Sequence, residues 1–577
     1  MSSNGRPPLA LALVVALAVA CNGSSPHGAS NTPDLPDGGA RPTPTATGTP
    51  VPPQVVEGFF VSEDSDAWVA HNFKLQKAWR NVYVVGEPKL DTVKVAPPGF
   101  GPDAAAAERK VDGQFPTLQA ALAKAGRGDL VLVAPGEHAG FVLRDTPGKA
   151  DDGYLVIRGM GELGDAKINR LGSNPQWMVM LEGASHVVMQ NLVLESTGDA
   201  SASRAGVLLS GDFPRTSTMD VHVAFDRMVF KGHRVWGLHA VVANTVLVQD
   251  SIFTGSVEEH GLYVSNGSDD WVIRRNVFSD NFAAGLQINL DPIASFDALM
   301  NHPKMVGQPP PNGSRPWVEP IIVHADKVFG KSRWPDGVGL NFIIERNVST
   351  HNGKRGGAAF NFAGLSQSLI QNNLIYDNAA GGIAMWDNAN SFDYDITDRQ
   401  PQSLDEWKPE RYPLFGCRNN LIRFNTVMGD TPRAAIQLRN GSMGNRVYGN
   451  IANHGRGMGL EVFADSVAGS DIKGNVFGRI RMNPGADALA SLAVALPPAG
   501  EAAVSADAIL GEMVAASNDP WIAPKGKTMG VADKRPDYRP KAGSKLLGAT
   551  VDAAAPATDF NGDKRDKATP GAFNPAP

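Results

Sequence analysis

Between residues 187 and 477 the chain alternates apolar and polar positions in short runs, and the runs recur. The motif apolar-x-apolar-x-x-Asn/Asp-x-apolar puts its polar anchor at Asn191, Asp226, Asp250, Asn276, Asn347, Asn373, Asn425, Asn450 and Asn475. Several intervals are close to one coil: 24, 26, 26, 25 and 25 residues. A second motif, Gly/Ala-apolar-x-apolar-x, trails the anchors. It reads Gly206-Val-Leu-Leu-Ser, Gly237-Leu-His-Ala-Val, Gly261-Leu-Tyr-Val-Ser, Gly285-Leu-Gln-Ile-Asn, Gly357-Ala-Ala-Phe-Asn, Gly382-Ile-Ala-Met-Trp, Ala435-Ile-Gln-Leu-Arg and Gly459-Leu-Glu-Val-Phe. Period-2 alternation sends every other side chain inward, and Asn- and Gly-rich turns tolerate positive φ. The pattern predicts an all-β chain: a single-stranded right-handed parallel β-helix, a solenoid of roughly 24-residue coils with two short strands each. Propellers and sandwiches require longer repeats or hairpin turns. The recurring anchors predict a ladder of stacked carboxamides that satisfies turn backbone, because they occur in every coil irrespective of any site.

A solenoid needs its open end covered. The run from Phe115 to Ala125 has Leu118, Ala121 and Leu122 at helical spacing, and Gly126 and Gly128 stop it, so an N-terminal capping helix is expected there. Strands follow at residues 129–136 and 154–159. Two stretches, 292–337 and 391–416, break the coil pattern with Pro, Asp, Trp and charged residues and are expected to leave the core as loop excursions. The resulting organisation is a signal peptide at 1–20, a Pro/Thr/Ser-rich tether at 21–56, the β-helix with its cap at 57–500, and a terminal cap and tail at 501–577.

The entrance helix followed by strands resembles that of pectate-lyase-like β-helix proteins. The ending Asp559-Phe-Asn-Gly-Asp-Lys-Arg565, with Gly571-Ala-Phe573, is similar to the tail of many bacterial β-helix proteins. The resemblance spans roughly residues 110 to 577. It implies an elongated ligand, an acidic polysaccharide, lying along one sheet.

Composition narrows the class. Lys plus Arg number 53 against 59 Asp plus Glu, a net charge of −6, which lacks the basic footprint of nucleic-acid binding. Leu9 to Ala20 form a short apolar run after Arg6, too short to span a bilayer and suited to a signal-peptide core. Leu17-Ala18-Val19-Ala20-Cys21 resembles a bacterial lipobox, although the family usually carries Leu where Ala18 stands. The resemblance implies lipidation at Cys21 and, with Asn22 following, an outer-membrane address; an ordinary secretory signal cut after Ala20 is the alternative. The next ~30 residues carry almost no large apolar side chains and would reach about 30 Å as a coil. Cys417 is the only other cysteine and reads as buried filler. A monomer attached to the membrane only through its lipid is expected.

In each Gly-led strand the residue after the first apolar one should face outward. The first outward column then reads Leu208, His239, Tyr263, Gln287, Ala359, Ala384, Gln437 and Glu461. The second reads Ser210, Val241, Ser265, Asn289, Asn361, Trp386, Arg439 and Phe463. β-Elimination from a uronate needs a neutralised carboxylate, a base for the C5 proton and an acid for the leaving oxygen. Gln287 and Asn289 can serve the first need, His239 the second and Tyr263 the third; C5 epimerisation uses the same set. Asn361, Trp386, Gln437, Arg439 and Glu461 are the expected substrate contacts, by hydrogen bonding, ring stacking and carboxylate pairing. His260 and His233 are reserve bases, and Lys354 and Arg355 form a charged turn. Plain exposed sheet residues remain the competing account of His239 and Tyr263, and a non-catalytic carbohydrate-binding or adhesion protein remains the competing account of the whole. No cofactor is expected. Calcium favours clustered carboxylates, whereas this face carries amides with Glu461 isolated; Asp269 and Asp270, paired in a turn, keep a calcium-dependent mechanism as the alternative.

Overall fold

The computed structural model describes residues 63–100, 106–308, 315–331, 333–387, 416–463, 466–467, 469–483, 555–561, 563–565 and 571–572. The signal peptide, Cys21, the tether, residues 391–415 and most of the tail lie outside the described residues.

Three parallel sheets of 13, 11 and 11 strands form the body, a right-handed parallel β-helix. A coil holds three strands, not the two expected. One coil runs Val187–Gln190 in sheet one, Val193–Glu195 in sheet two and Ala205–Ser210 in sheet three, and its successors repeat the order. The strand missed in the sequence is the one in sheet two, as short as two residues and separated from sheet one by a two-residue turn. The first residue of that turn takes positive φ again and again: 52° at Arg227, 52° at Asp250, 54° at Arg275 and 53° at Arg346. Inward residues of all three sheets form one continuous core, from Val85 to Phe477. Within it the sheet-two phenylalanines stack, Phe230 on Phe253 at 4.5 Å and Phe253 on Phe278 at 5.2 Å.

The amide ladder exists, with a shorter membership than expected. Asn276, Asn347, Asn373, Asn425, Asn450 and Asn475 stack Nδ2 to Oδ1 at 3.1, 3.0, 2.9, 3.0 and 2.9 Å. Ser251 heads the stack through its backbone N–H, 3.0 Å from Asn276 Oδ1. Asn191, Asp226 and Asp250 are not rungs. The rung lies one residue past the positive-φ position, where those coils carry Leu192, Met228 and Ser251. Asp250 pairs instead with Arg275 at 2.6 Å, and Asp226 faces outward.

The capping helix is the short Leu118–Leu122, started by Thr117, whose Oγ1 accepts from Ala120 N at 3.2 Å. Its Leu118, Ala121 and Leu122 close the core. Phe115 belongs to strand Gly113–Phe115, which pairs with Val82–Val85 in a region where the sequence showed no pattern. The first insertion adds no coil, since Trp271–Arg274 pairs directly with Phe342–Glu345. It is helical, with Pro292–Met300 capped by Asp291 and a second helix, Arg315–Phe329. In the tail, Arg565 donates to Asn372 Oδ1 at 2.8 Å and to the carbonyls of Gly571 and Ala572, tying those residues to the coils.

The outer face of sheet one is covered by the N-terminal helix Ser65–Asn72 and the segment after it, whose Trp68, Phe73 and Trp79 join Val188, Ala224, Leu247, Val272 and Ile343 in one buried apolar cluster. Beside this apolar seam runs a buried polar chain crossing eight successive strands. Arg158 Nε donates to Gln190 (2.9 Å), Gln190 and Gln249 both donate to Asp226 (2.9 Å each), and Arg274 Nε donates to Gln249 (3.0 Å). Ser65 Oγ accepts from Arg274 (2.7 Å) and donates to Glu345 (2.5 Å). Gln371 donates to Glu345 (2.7 Å) and accepts from Arg423 Nε (2.8 Å). Asp66 and Glu63 pair with Arg274 and Arg423 at 2.6 and 3.0 Å. The middle of this face is therefore occupied by the chain itself, whereas sheet three carries the outward columns singled out in the sequence.

Candidate functional site on the outer face of sheet three

Strand register defines the outward column as Leu208, His239, Tyr263, Gln287, Asn361, Ala384, Gln437, Glu461 and Arg481. Asn361 thus moves from the second column to the first, and Ala359 is a fully buried core residue. The slip arises at Gly356 and Gly357, both at positive φ, which lengthen the turn so that Phe360, not Ala358, pairs with Leu286. The second column runs Ser210, Val241, Ser265, Asn289, Ala363 and Trp386. Arg439 follows strand Ile436–Leu438 and hydrogen-bonds through its N–H to Met385 O at 3.0 Å.

His239 and Tyr263 do not stand free on this face, as the alternation alone implied. They are 1% and 6% exposed. Their rings stack face to face, centroids 5.0 Å apart and planes 6° apart, and Trp236 lies 4.3 Å from the imidazole. Arg204 caps the aromatic group, its guanidinium 5.4 Å from the Trp177 ring and 5.3 Å from the Trp236 ring. Burial first, then the charges of Arg204 and His260, push the His239 imidazole down to about 3, so it is neutral at physiological pH. Its tautomer follows from hydrogen bonding. Ser265 Oγ gives its proton to Ala240 O at 2.9 Å, so it can only accept from His239 Nε2 at 3.2 Å. Nδ1 therefore holds the lone pair, and no described group donates to it. Geometrically this is a base already deprotonated and kept beneath a tyrosine.

The loops before these strands supply further charges, of which Arg204 and Glu259 were not among the sequence candidates. Glu259 accepts from Trp236 Nε1 at 3.0 Å and from Arg355 Nη1 at 2.9 Å, placing Arg355 at the rim of the aromatic group. His260 accepts from Ala284 N at 3.1 Å, and burial pushes it down to about 4. His233 has both ring nitrogens engaged, by Ser203 Oγ and Leu194 O, which gives it a packing role. Only spacing before each strand could have flagged Arg204 and Glu259, since both lie outside the repeat.

Further along the column, amides take over. Asn361 Nδ2 donates to Gln287 Oε1 at 2.7 Å and its Oδ1 accepts from Trp386 Nε1 at 3.0 Å. Arg439 lies 5.5 Å from the Trp386 ring. Gln437 donates to Glu461 at 2.7 Å, and Glu461 also accepts from Arg481 Nε at 2.8 Å. Gln287 and Glu461 are buried, whereas Asn289, Asn361, Trp386, Gln437 and Arg439 are half-buried and reachable from solvent. Asn289 Oδ1 is buried with no described donor. Cys417 lies beneath this face with its thiol pushed up to about 12 by burial, as suits a packing residue. Among the described residues no three His, Cys, Asp or Glu side chains gather as a metal site.

No protein-family model matches the chain, and no curated protein matches it in sequence. Among solved structures it is similar to pectate lyase Pel9A, with 12% identity over 79% of this chain and 90% of that one and a TM-score of 0.45. It is also similar to the A-module of the Azotobacter vinelandii mannuronan C-5 epimerase AlgE4, with 14% identity, 63% and 90% coverage and a TM-score of 0.31. A third similarity is to a variant of the periplasmic alginate epimerase AlgG, with 12% identity, 61% and 77% coverage and a TM-score of 0.30.

Proposed function

We propose that the outer face of sheet three acts on an acidic polysaccharide laid across the coils, by β-elimination or C5 epimerisation. The observation that carries this reading is the outward column itself. Successive coils, about 4.8 Å apart, present Gln287, Asn361, Ala384, Gln437, Glu461 and Arg481, with Trp386 and Arg439 alongside as ring platform and cation. At its other end sit a neutral imidazole and a phenol. In β-elimination the C5 proton passes to His239 Nδ1, the C4–O bond breaks as the C4–C5 double bond forms, and Tyr263 gives its proton to the leaving oxygen. Gln287 and Asn289 hydrogen-bond the uronate carboxylate, with Arg355 and Arg204 adding charge at the rim. Epimerisation returns the proton to the opposite face instead. Reaching His239 requires the Tyr263 ring to turn aside, because the two are stacked.

The burial of that pair favours a second reading, in which the same column binds polysaccharide without transforming it. Incubation with alginate, pectate and glycosaminoglycans separates the two. Ultraviolet absorbance from unsaturated products reports the lyase, and deuterium uptake at C5 reports the epimerase. Both signals are expected to vanish in His239→Ala. Retention in an affinity gel with neither signal would leave binding as the function. We also propose export as a monomeric lipoprotein anchored at the outer membrane through Cys21; loss of fatty-acid labelling in Cys21→Ser tests the anchor.

A further inference from the structure

We infer that a cleft of ≈ 280 Å3, where sheet three turns into sheet one, binds a single acidic sugar residue at the side of the polysaccharide track. The ligand class rests on the function proposed above; the cleft itself does not. Five separated parts of the chain line it, including Asn72, Asp220, Asn244, Asp270, Phe329 and Arg333. Its size sits at the lower end for ligand pockets, room for one ring and not for a chain.

The lining chemistry selects among ligands. Asn244 and Asp270 are buried, 3% and 6% exposed, whereas Asp220 and Arg333 are exposed. The Asp270 carboxylate is held in place by Trp68 Nε1 (2.7 Å) and Asn341 Nδ2 (2.5 Å) on Oδ1. Its Oδ2 has only a 3.4 Å contact from Thr245 Oγ1, which leaves acceptor capacity for a ligand hydroxyl. Asn244 Oδ1 accepts from Asp269 N at 2.7 Å, so the group it can offer is its amide donor. Phe329 packs against Phe213 at 5.0 Å and His302 at 4.8 Å, with Lys304 Nζ 5.5 Å from its ring, and gives the cleft its apolar wall. Among the described lining residues Arg333 is the one Lys or Arg, and it fits a carboxylate. Two carboxylates, Asp220 and Asp270, face one guanidinium here, so a uronate fits with its carboxylate on Arg333 and its hydroxyls donating to the aspartates.

Position supports the assignment. Asn244 follows His239 by five residues and Asp270 follows Tyr263 by seven, on the same coils. At about 3.3 Å per residue the cleft is within roughly 15–25 Å of that pair. A terminal or side-branch uronate of a polymer on the track can reach it.

The test uses the whole chain, with D-glucuronate, D-galacturonate and D-mannuronate as probes and D-galactose as neutral reference, read by calorimetry or ligand-observed NMR. Saturable binding of at least one uronate is expected. Arg333→Ala should weaken it about tenfold or more while changing galactose less than about twofold, and Thr218→Trp, which fills the mouth, should abolish it. Arg439→Ala should leave it unchanged while weakening polymer binding. Absence of saturable uronate binding, or binding indifferent to both cleft variants, overturns the inference. So does calcium binding at the cleft without any sugar. If the polymer binds and responds to Arg439→Ala while the cleft variants do nothing, the cleft falls and the track stands; uronate binding without polymer binding gives the reverse.

Discussion

Asn373 sits in the middle of the amide ladder, fully buried, and its side chain makes four hydrogen bonds. Its Oδ1 accepts from Asn347 N and Nδ2, both at 3.0 Å, and its Nδ2 donates to Ile344 O and Asn425 Oδ1, both at 2.9 Å. Asn373→Ala strips partners from three buried groups: the Asn347 N–H, one Asn347 amide hydrogen and the Ile344 carbonyl. At about 1–3 kcal/mol each, and allowing a water to enter the space vacated, the expected cost is about 3–5 kcal/mol. Asn373→Asp is nearly isosteric and gives a sharper test. It keeps both accepted bonds but loses both donated ones, and sets a carboxylate oxygen against Asn425 Oδ1. Ionisation is disfavoured there, so the folded pKa of this aspartate lies above its unfolded value. Its stability contribution is then intact below the unfolded pKa, about 3.9, and is lost as pH rises through the folded one. The Asp variant should be worse than the Ala variant at pH 7 and recover on acidification, each measured relative to the parent chain at the same pH. Because coils can unfold in groups, denaturation is best paired with hydrogen exchange resolved over residues 347–425. An Ala variant costing under about 1 kcal/mol, or an Asp variant whose deficit ignores pH, would refute the reasoning.

Three further outcomes can be checked. Burial lowers His186 and His239 to about 3 and His233, His260 and His454 to about 4, all below the unfolded value of about 6.5. Stability from these groups is present above about pH 6.5 and lost as pH falls toward their folded values, so Tm should drop between pH 6.5 and 4 and drop less in His239→Phe; a flat profile contradicts it. Trp386→Ala should weaken polysaccharide retention in an affinity gel about tenfold or more, since it removes both the ring and the partner of Asn361 and Arg439; unchanged mobility would remove Trp386 from the track. Ser65→Ala removes the hydroxyl linking Arg274 to Glu345 and should cost about 1–3 kcal/mol, with faster hydrogen exchange across Ser65–Asn72; no change in either would show that the helix is held by Trp68 and the Asp66–Arg274 pair without this hydroxyl.

What repeats in every coil was legible in the sequence. The six asparagine rungs and the inward alternation of strands such as Leu262–Ser265 recur because each coil faces the same packing problem. Coils that solve the turn differently were misread: Asp226 matched the motif, yet the rung position belongs to Met228. The sheet-two strands escaped notice because most of them, at two to four residues, carry too little alternation to register. Asn361 landed in the wrong column because two glycines lengthened one turn by an amount no period reveals. The burial of His239 was invisible for another reason. It is imposed by Trp177, Arg204 and Trp236, which neighbouring coils and loops bring from up to 62 residues away.

The polar chain beneath the N-terminal helix bears on how such a molecule can change over generations. An asparagine ladder is a homopolymer: any coil can be copied or dropped and the stack still closes. The sheet-one chain is a sentence. Arg158, Gln190, Asp226, Gln249, Arg274, Glu345, Gln371 and Arg423 follow one another so that each glutamine bridges a cation to an anion, and each amide is oriented by the charges on either side. Removing the coil that carries Asp226 would set Gln190 beside Gln249 with no anion to receive either amide. Duplicating the coil that carries Arg274 would stack two buried guanidiniums. Growth by copying coils, the easy route for a solenoid, is closed across these eight strands. Length can change only beyond them or through insertions, and the excursion at 292–337 is an insertion of that kind, placed between Arg274 and Glu345.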